Sequence, residues 1–175
     1  MRVLLITGLP GSGKTTLARL LADRYGVLLL GKDAIKEPLL DVLGAADRAH
    51  SRLLSDASFA VLFALAGQAL AARLDLILEG NFRPGEHEEH LALPSGACIL
   101  QVLCRVDEPT RLARLARRRQ RQARHPGHGD TDPAVREERS GDAYLALPGE
   151  RMTLDGGEAA DARRLEAIDQ FWHRS

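Results

Sequence analysis

Gly8-Leu9-Pro10-Gly11-Ser12-Gly13-Lys14-Thr15 fits the spacing G-x-x-x-x-G-K-[ST] at every fixed position, between an apolar run and a helical pattern. Glycines at these points let the backbone curl until consecutive N–H groups converge on one anion. A helix opening at Lys14 would add unsatisfied amides and the positive end of its dipole. The ligand that suits such a concavity is a polyphosphate. Lys14 would reach its β- and γ-phosphates as a point charge, and the Thr15 hydroxyl would complete the shell of a Mg²⁺ bridging the same oxygens. Gly11, Ser12, Gly13, Lys14, Thr15 and Thr16 are the expected nucleotide-binding residues, although the pattern itself gives Thr16 only a helix position. The bland alternative, a glycine-rich turn that merely joins strand to helix, leaves the agreement of loop and flanking elements unexplained.

Other residues could work beside such a loop. Asp33, in Gly31-Lys32-Asp33-Ala34-Ile35-Lys36-Glu37, follows an apolar run; a carboxylate at a strand end can take a hydroxyl proton, and it can equally cap a helix beginning at Ala34. Leu74-Asp75-Leu76-Ile77-Leu78-Glu79 is an apolar run ending in a carboxylate, so Glu79 could hold a water of the Mg²⁺ shell. Glutamate in place of the commoner aspartate leaves direct coordination open. Gly80, Asn81, Phe82 and Arg83 then read as a turn in which Asn81 tolerates an unusual backbone conformation. Residues 111–124 are rich in arginine and should form a basic helix, followed by a loop at 125–130. His125 and His128 have the spacing of a metal-ligand pair, but no cysteine or third histidine lies nearby in sequence, and the loop reading is preferred.

Several elements must position these groups. Apolar runs at residues 3–7, 27–30, 74–78, 97–105 and 151–154 alternate with helical patterns, which predicts a parallel sheet covered on both faces. The first four read as fully buried and the last as short. Residues 14–25, with Leu17, Leu20 and Leu21 at helical spacing, and residues 49–72, rich in alanine and leucine, read as crossover helices. Leu165, Ile168 and Phe171 or Trp172 share one face of a final amphipathic helix. A chain of 175 residues, 45% hydrophobic, suits one core and a single domain over 1–175. Its formal net charge of zero gives no overall basic excess for nucleic acid or an anionic membrane, though a local patch stays open. The first apolar run is too short for a signal peptide or a membrane span, so the cytosol is the expected compartment and no membrane partner is expected. Cys98 and Cys104 would stand roughly 20 Å apart in an extended strand, beyond disulfide reach, and read as small buried hydrophobes in a reducing compartment. Lys14, Lys32 and Lys36 are the only lysines, an imbalance that reads as genomic composition.

Taken together, the phosphate loop, the Asp33 segment and the arginine-rich stretch resemble the P-loop kinases grouped with chloramphenicol phosphotransferase, zeta toxins and the kinase domain of polynucleotide kinase. The resemblance spans most of the chain and is most specific at residues 8–15. It implies an α/β, three-layer P-loop NTPase fold: a five-stranded parallel sheet in the order 2-3-1-4-5, helices on both faces, and an arginine-rich lid near residues 110–130. It implies ATP and Mg²⁺ as cofactors, with Asp33 as general base beside an acceptor hydroxyl. In the lid it implies two arginines four residues apart, best matched by Arg114 and Arg118, which share a helix face and could offset charge on the transferring phosphoryl group. Lys14 joins Asp33 and these arginines as a catalytic residue, Lys36, Asn81 and Arg83 are placed with Asp33 near the acceptor, and Asp155-Gly156-Gly157 matches an adenine-contacting loop.

The expected activity is ATP-dependent transfer of the γ-phosphate to a hydroxyl of a small molecule such as an antibiotic or a sugar; ATP over GTP rests on the resemblance alone. A nucleoside or a nucleic-acid 5′ end is the nearest alternative acceptor, disfavoured for a strand because an aromatic content of 4% offers little stacking surface. A nucleotide-dependent switch that docks a partner on residues 105–124 is the alternative of another class, with little need for a carboxylate at Asp33. Arg48, His50 and Arg52 could line an acceptor site and fit an ordinary polar helix face better. Neither the acceptor nor the oligomeric state is legible.

Overall fold

The computed structural model describes residues 1–44, 47–91, 93–120, 142–155 and 162–174, without the side chains of 118–120 and 162–164. Val3, Leu4, Leu5 and Ile6 are all essentially inaccessible, so β1 (Arg2–Gly8) is apolar on both faces and must be covered on both. It pairs in parallel with β3 (Leu76–Gly80) on one side and β4 (Cys98–Arg105) on the other. β2 (Leu28–Gly31) lies outside β3 and β5 (Glu150–Asp155) outside β4, giving the order β2-β3-β1-β4-β5. The strand order is the one expected.

Alternate side chains of β1 enter two cores. Val3 and Leu5, with Leu76 and Leu78, pack against Phe59, Leu62, Phe63 and Ala66 of α3 (Arg48–Ala71). Leu4 and Ile6, with Ile77 and Val102, pack against Ala18 and Leu21 of α1 (Lys14–Tyr25) and Ile168, Phe171 and Trp172 of α5 (Ala162–His173). Length and composition alone would let α3 cross a membrane, but its Phe59, Leu62 and Leu70 are buried in the core shared with Val3 and Leu5. Its first turn is fixed by Asp47, whose carboxylate accepts from the His50 N–H at 2.8 Å.

Several expectations are corrected. The second strand is not fully buried: β2 is a sheet edge, and its Leu28 is 45% exposed. An apolar run does not reveal its place in the sheet order. Cys104 is buried, and burial pushes its thiol up to about 12, whereas Cys98 is exposed at the start of β4. The helix expected from Ala34 is α2 (Lys32–Leu43); it begins two residues earlier with Gly31 at the N-cap position, and Asp33 sits within its first turn. Asn81 does not have the left-handed conformation; among the described non-glycine residues only Arg73 has positive φ, 59°.

Candidate active site

The loop from Gly8 joins the carboxyl end of β1 to α1, the end of a parallel sheet where ligands bind. Gly11 and Gly13 have φ of 88° and 95°, which other residues rarely adopt, and these two reversals wrap the chain around its own amides. The Ser12 N–H donates to the Leu9 carbonyl at 3.0 Å and closes the turn. The hydroxyls of Thr7 and Ser12 are buried without a protein hydrogen-bond partner, a feature costly in a mere connecting turn. Thr16 is exposed on the first turn of α1.

Lys14 folds back beneath the loop. Its Nζ lies 3.7 Å from Oε1 of Glu79, which also accepts from the Thr15 hydroxyl at 3.2 Å. Glu79 is 3% exposed, and its carboxyl is held above the usual range: burial is the main cause, and the Asp33 charge adds to it against Lys14, Thr15 and Lys32. The two oxygens from Thr15 and Glu79 face one another as hard donors of the kind Mg²⁺ takes. Among the described residues no group of three His, Cys, Asp or Glu side chains could hold a metal by itself, so the donor set suits an ion that shares its shell with phosphate. The first turn of α2 adds Asp33, paired at 3.2 Å with the buried Nζ of Lys32. Lys14, Thr15, Glu79, Lys32 and Asp33 thus form one charged cluster across the ends of β1, β2 and β3.

Lys36, the third lysine, is 4% exposed and donates to the Ser51 hydroxyl at 2.9 Å, bracing α2 against α3. All three lysines are therefore buried. Asn81 follows β3 and is half-buried. The guanidinium of Arg83 is held by Asp56 of α3 at 2.6 Å and Glu86 at 3.0 Å. His87, which the sequence did not single out, sits among Phe59, Phe63 and Phe82, and its Nδ1 accepts from the Arg83 backbone N–H at 3.0 Å. Burial first, then the Arg83 charge, lowers His87 to about 4, so the ring is neutral and acts as an acceptor. Arg48 and Arg52 are exposed, as a polar helix face would be.

On the other side of the loop lies α4 (Glu108–Gln120), the arginine-rich helix. Arg114 directs Nη1 to the carbonyls of Gly11 and Ser12, at 3.4 and 3.5 Å. Arg111 packs against the loop so closely that a Cβ on Gly11 would stand 3.0 Å from its carbonyl oxygen. A cleft of about 430 Å³ opens here, lined by Leu9, Ser12, Cys104, Arg105, Arg111 and Asp142. The side chain of Arg118, the loop holding His125 and His128, and Gly156 and Gly157 lie outside the described residues.

The pattern of the AAA domain matches residues 3–140 of the sequence. The chain belongs to the AAA-domain family. Among solved structures, this AAA-domain protein is similar to a provisionally assigned kinase from Chloroflexus aurantiacus, with 31% identity, 97% of each chain covered and a TM-score of 0.86. A sugar kinase from a Janibacter species shares its fold at 16% identity and TM-score 0.61, covering 98% of this chain and 94% of the other. The APS kinase of Mycobacterium tuberculosis, solved with AMPPNP and APS, does so at 20% identity and TM-score 0.54, covering 96% and 95%. No protein of curated function matches the sequence. The AAA-domain protein has the kinase-like arrangement of the P-loop fold.

Proposed function

We propose that the protein is an ATP-dependent phosphotransferase that moves the γ-phosphate of ATP to a hydroxyl of a small molecule in the cytosol, within the chloramphenicol phosphotransferase and zeta-toxin type of P-loop kinase. The observation that carries this reading is the meeting of phosphate loop and α2 on either side of Glu79: Lys14 at 3.7 Å from its carboxylate, and Asp33 near enough for its charge to be felt there. A loop for triphosphate and a carboxylate for an acceptor then share one cleft. The Chloroflexus aurantiacus relative, only provisionally assigned as a kinase, agrees with this reading.

The triphosphate would lie along the amides of residues 11–15, with Lys14 exchanging Glu79 for phosphate oxygens. Thr15 and Glu79 would hold Mg²⁺, which supplies charge neutralisation to the β- and γ-oxygens. The nucleoside fits the cleft beside Ser12 and Arg111. Asp33 takes the acceptor's hydroxyl proton as that oxygen bonds to the γ-phosphorus; the bond from the γ-phosphorus to the bridging oxygen breaks, and ADP leaves with its electron pair. Arg114, already at the loop, and Arg118, one turn further along α4, would offset charge on the phosphoryl oxygens. The acceptor would lie toward Lys36, Asn81 and Arg83, with Arg83 held for that purpose by Asp56.

The test is incubation with Mg-ATP and a panel of sugars, nucleosides, aminoglycoside and phenicol antibiotics and short oligonucleotides, read by mass spectrometry beside Asp33→Asn. One acceptor gaining a single phosphate with the native protein and not with the variant is the expected result. Hydrolysis without a phosphorylated product, unchanged by the substitution, would favour a nucleotide-dependent switch.

A further inference from the structure

Lys32 lies in a slot that the fold has kept open for it. It is the first residue of α2, only 6% of it is exposed, and its Cβ stands beside Gly80 at the end of β3. A Cβ on Gly80 would meet Lys32 Cβ at 3.3 Å and the Phe59 ring at 3.2 Å, so a side chain there would crowd both walls of the slot. The ammonium at the end of the lysine stem lies over the Phe59 ring, 6.0 Å from its centroid, on the face that attracts cations. It ends 3.2 Å from Oδ1 of Asp33. Consecutive residues of a helix do not normally face each other, so this contact depends on the way the slot leads the lysine back over its neighbour.

Burying an ammonium is costly unless an anion is at hand, and a longer route to solvent would satisfy a lysine more cheaply. Two carboxylates, Asp33 and Glu79, share this end of the sheet and repel one another. Lys14 is the cation on the loop side, yet bound phosphate would draw it away from Glu79. Lys32 is held by a different wall and stays. Its contact with one oxygen of Asp33 restricts how that carboxylate can turn.

We propose that Lys32 is a positioning residue of the transfer reaction: it holds Asp33 in the orientation in which the carboxylate receives the proton of the attacking oxygen, and it keeps a cation beside the carboxylate pair when Lys14 has turned to the nucleotide. This rests on the phosphotransferase reading for the identity of the attacking oxygen, which is the acceptor hydroxyl in transfer and water in the slow hydrolysis of ATP. Lys32 does not touch the nucleotide in this role, so its loss is felt in kcat and not in ATP affinity.

The experiment is a double-mutant cycle of Lys32→Met and Asp33→Asn, with Lys32→Gln as a second neutral variant should methionine disturb folding. Mg-ATP alone is the first probe, followed by ADP release; whichever acceptor the panel yields is the second. Binding of a fluorescent ATP analogue and the thermal midpoint report on folding. Lys32→Met should lower kcat roughly 10- to 100-fold, as misplacement of a catalytic group does, with KM for ATP unchanged. In the Asp33→Asn background it should change kcat by no more than about twofold, because its effect passes through Asp33. An equal proportional loss in both backgrounds, unchanged kcat in the single variant, or full turnover in Asp33→Asn would each overturn the proposal. Should hydrolysis show the coupling while no acceptor in the panel is phosphorylated, the Lys32 assignment stands and the small-molecule acceptor falls.

Discussion

His87 shows how much a single side chain can fix in this site. It anchors the start of the segment after β3 through the Arg83 N–H, and it does so as a neutral ring because the aromatic cluster around it excludes water. Its folded value of about 4 is below the ordinary 6.5, so the unfolded chain binds more protons between those limits. Its contribution is full above about pH 6.5 and is lost as the pH falls toward 4, with a slope of at most about 1.4 kcal/mol per pH unit. Thermal midpoints measured from pH 7 to pH 4 should therefore fall more steeply in the native protein than in His87→Gln. Identical slopes would remove His87 as the source. No motif pointed to this histidine; it lies in a polar stretch, and the phenylalanines that enclose it come from α3 and from Phe82, brought together only by folding. The lysines were visible in the sequence as a rarity, but their common burial became evident only when α1 and α2 were placed beside β3.

At the scale of elements, the loop is held in shape by α4 as much as by its own glycines. Arg111 and Leu115 press on Gly11, where an added Cβ would stand 3.0 Å from a backbone oxygen and the φ of 88° disfavours any side chain. Gly11→Ala should therefore weaken ATP binding by at least about tenfold, equivalent to 1.4 kcal/mol, while the far-ultraviolet circular dichroism stays native. Retention of full affinity, measured by titration calorimetry, would show that α4 yields without disturbing the loop. The phosphate loop was legible because each fixed residue answers a local requirement of backbone shape or phosphate charge. The strand order agreed with what the family resemblance implied. The start of α2 was not legible: Asp33 invited the role of a cap, and the helix instead begins at Lys32, behind a glycine, with the buried lysine stem packed against β3. Nor did the apolar run of β2 disclose that it forms an edge.

Across the whole molecule, the first and last helices close on each other over one face of the sheet. Trp172, the sole tryptophan, is 6% exposed and stacks on Tyr25 with ring centroids 4.5 Å apart. Asp169 accepts from the Tyr25 hydroxyl at 2.7 Å and ties the same pair of helices. Trp172→Ala should cost about 3–5 kcal/mol in urea unfolding, the usual loss for a large buried aromatic. A much smaller loss would mean that α5 contributes little to the fold, and in the native protein the fluorescence of this one residue reports α5 directly. The burial of every lysine has a further consequence for reagents. Apart from the chain's α-amine, this surface offers acylating compounds almost no amine, while arginine supplies the solvated positive charge. Reaction with such a compound becomes a slow clock for the opening of the cleft, and bound nucleotide should stop the clock at Lys14 first.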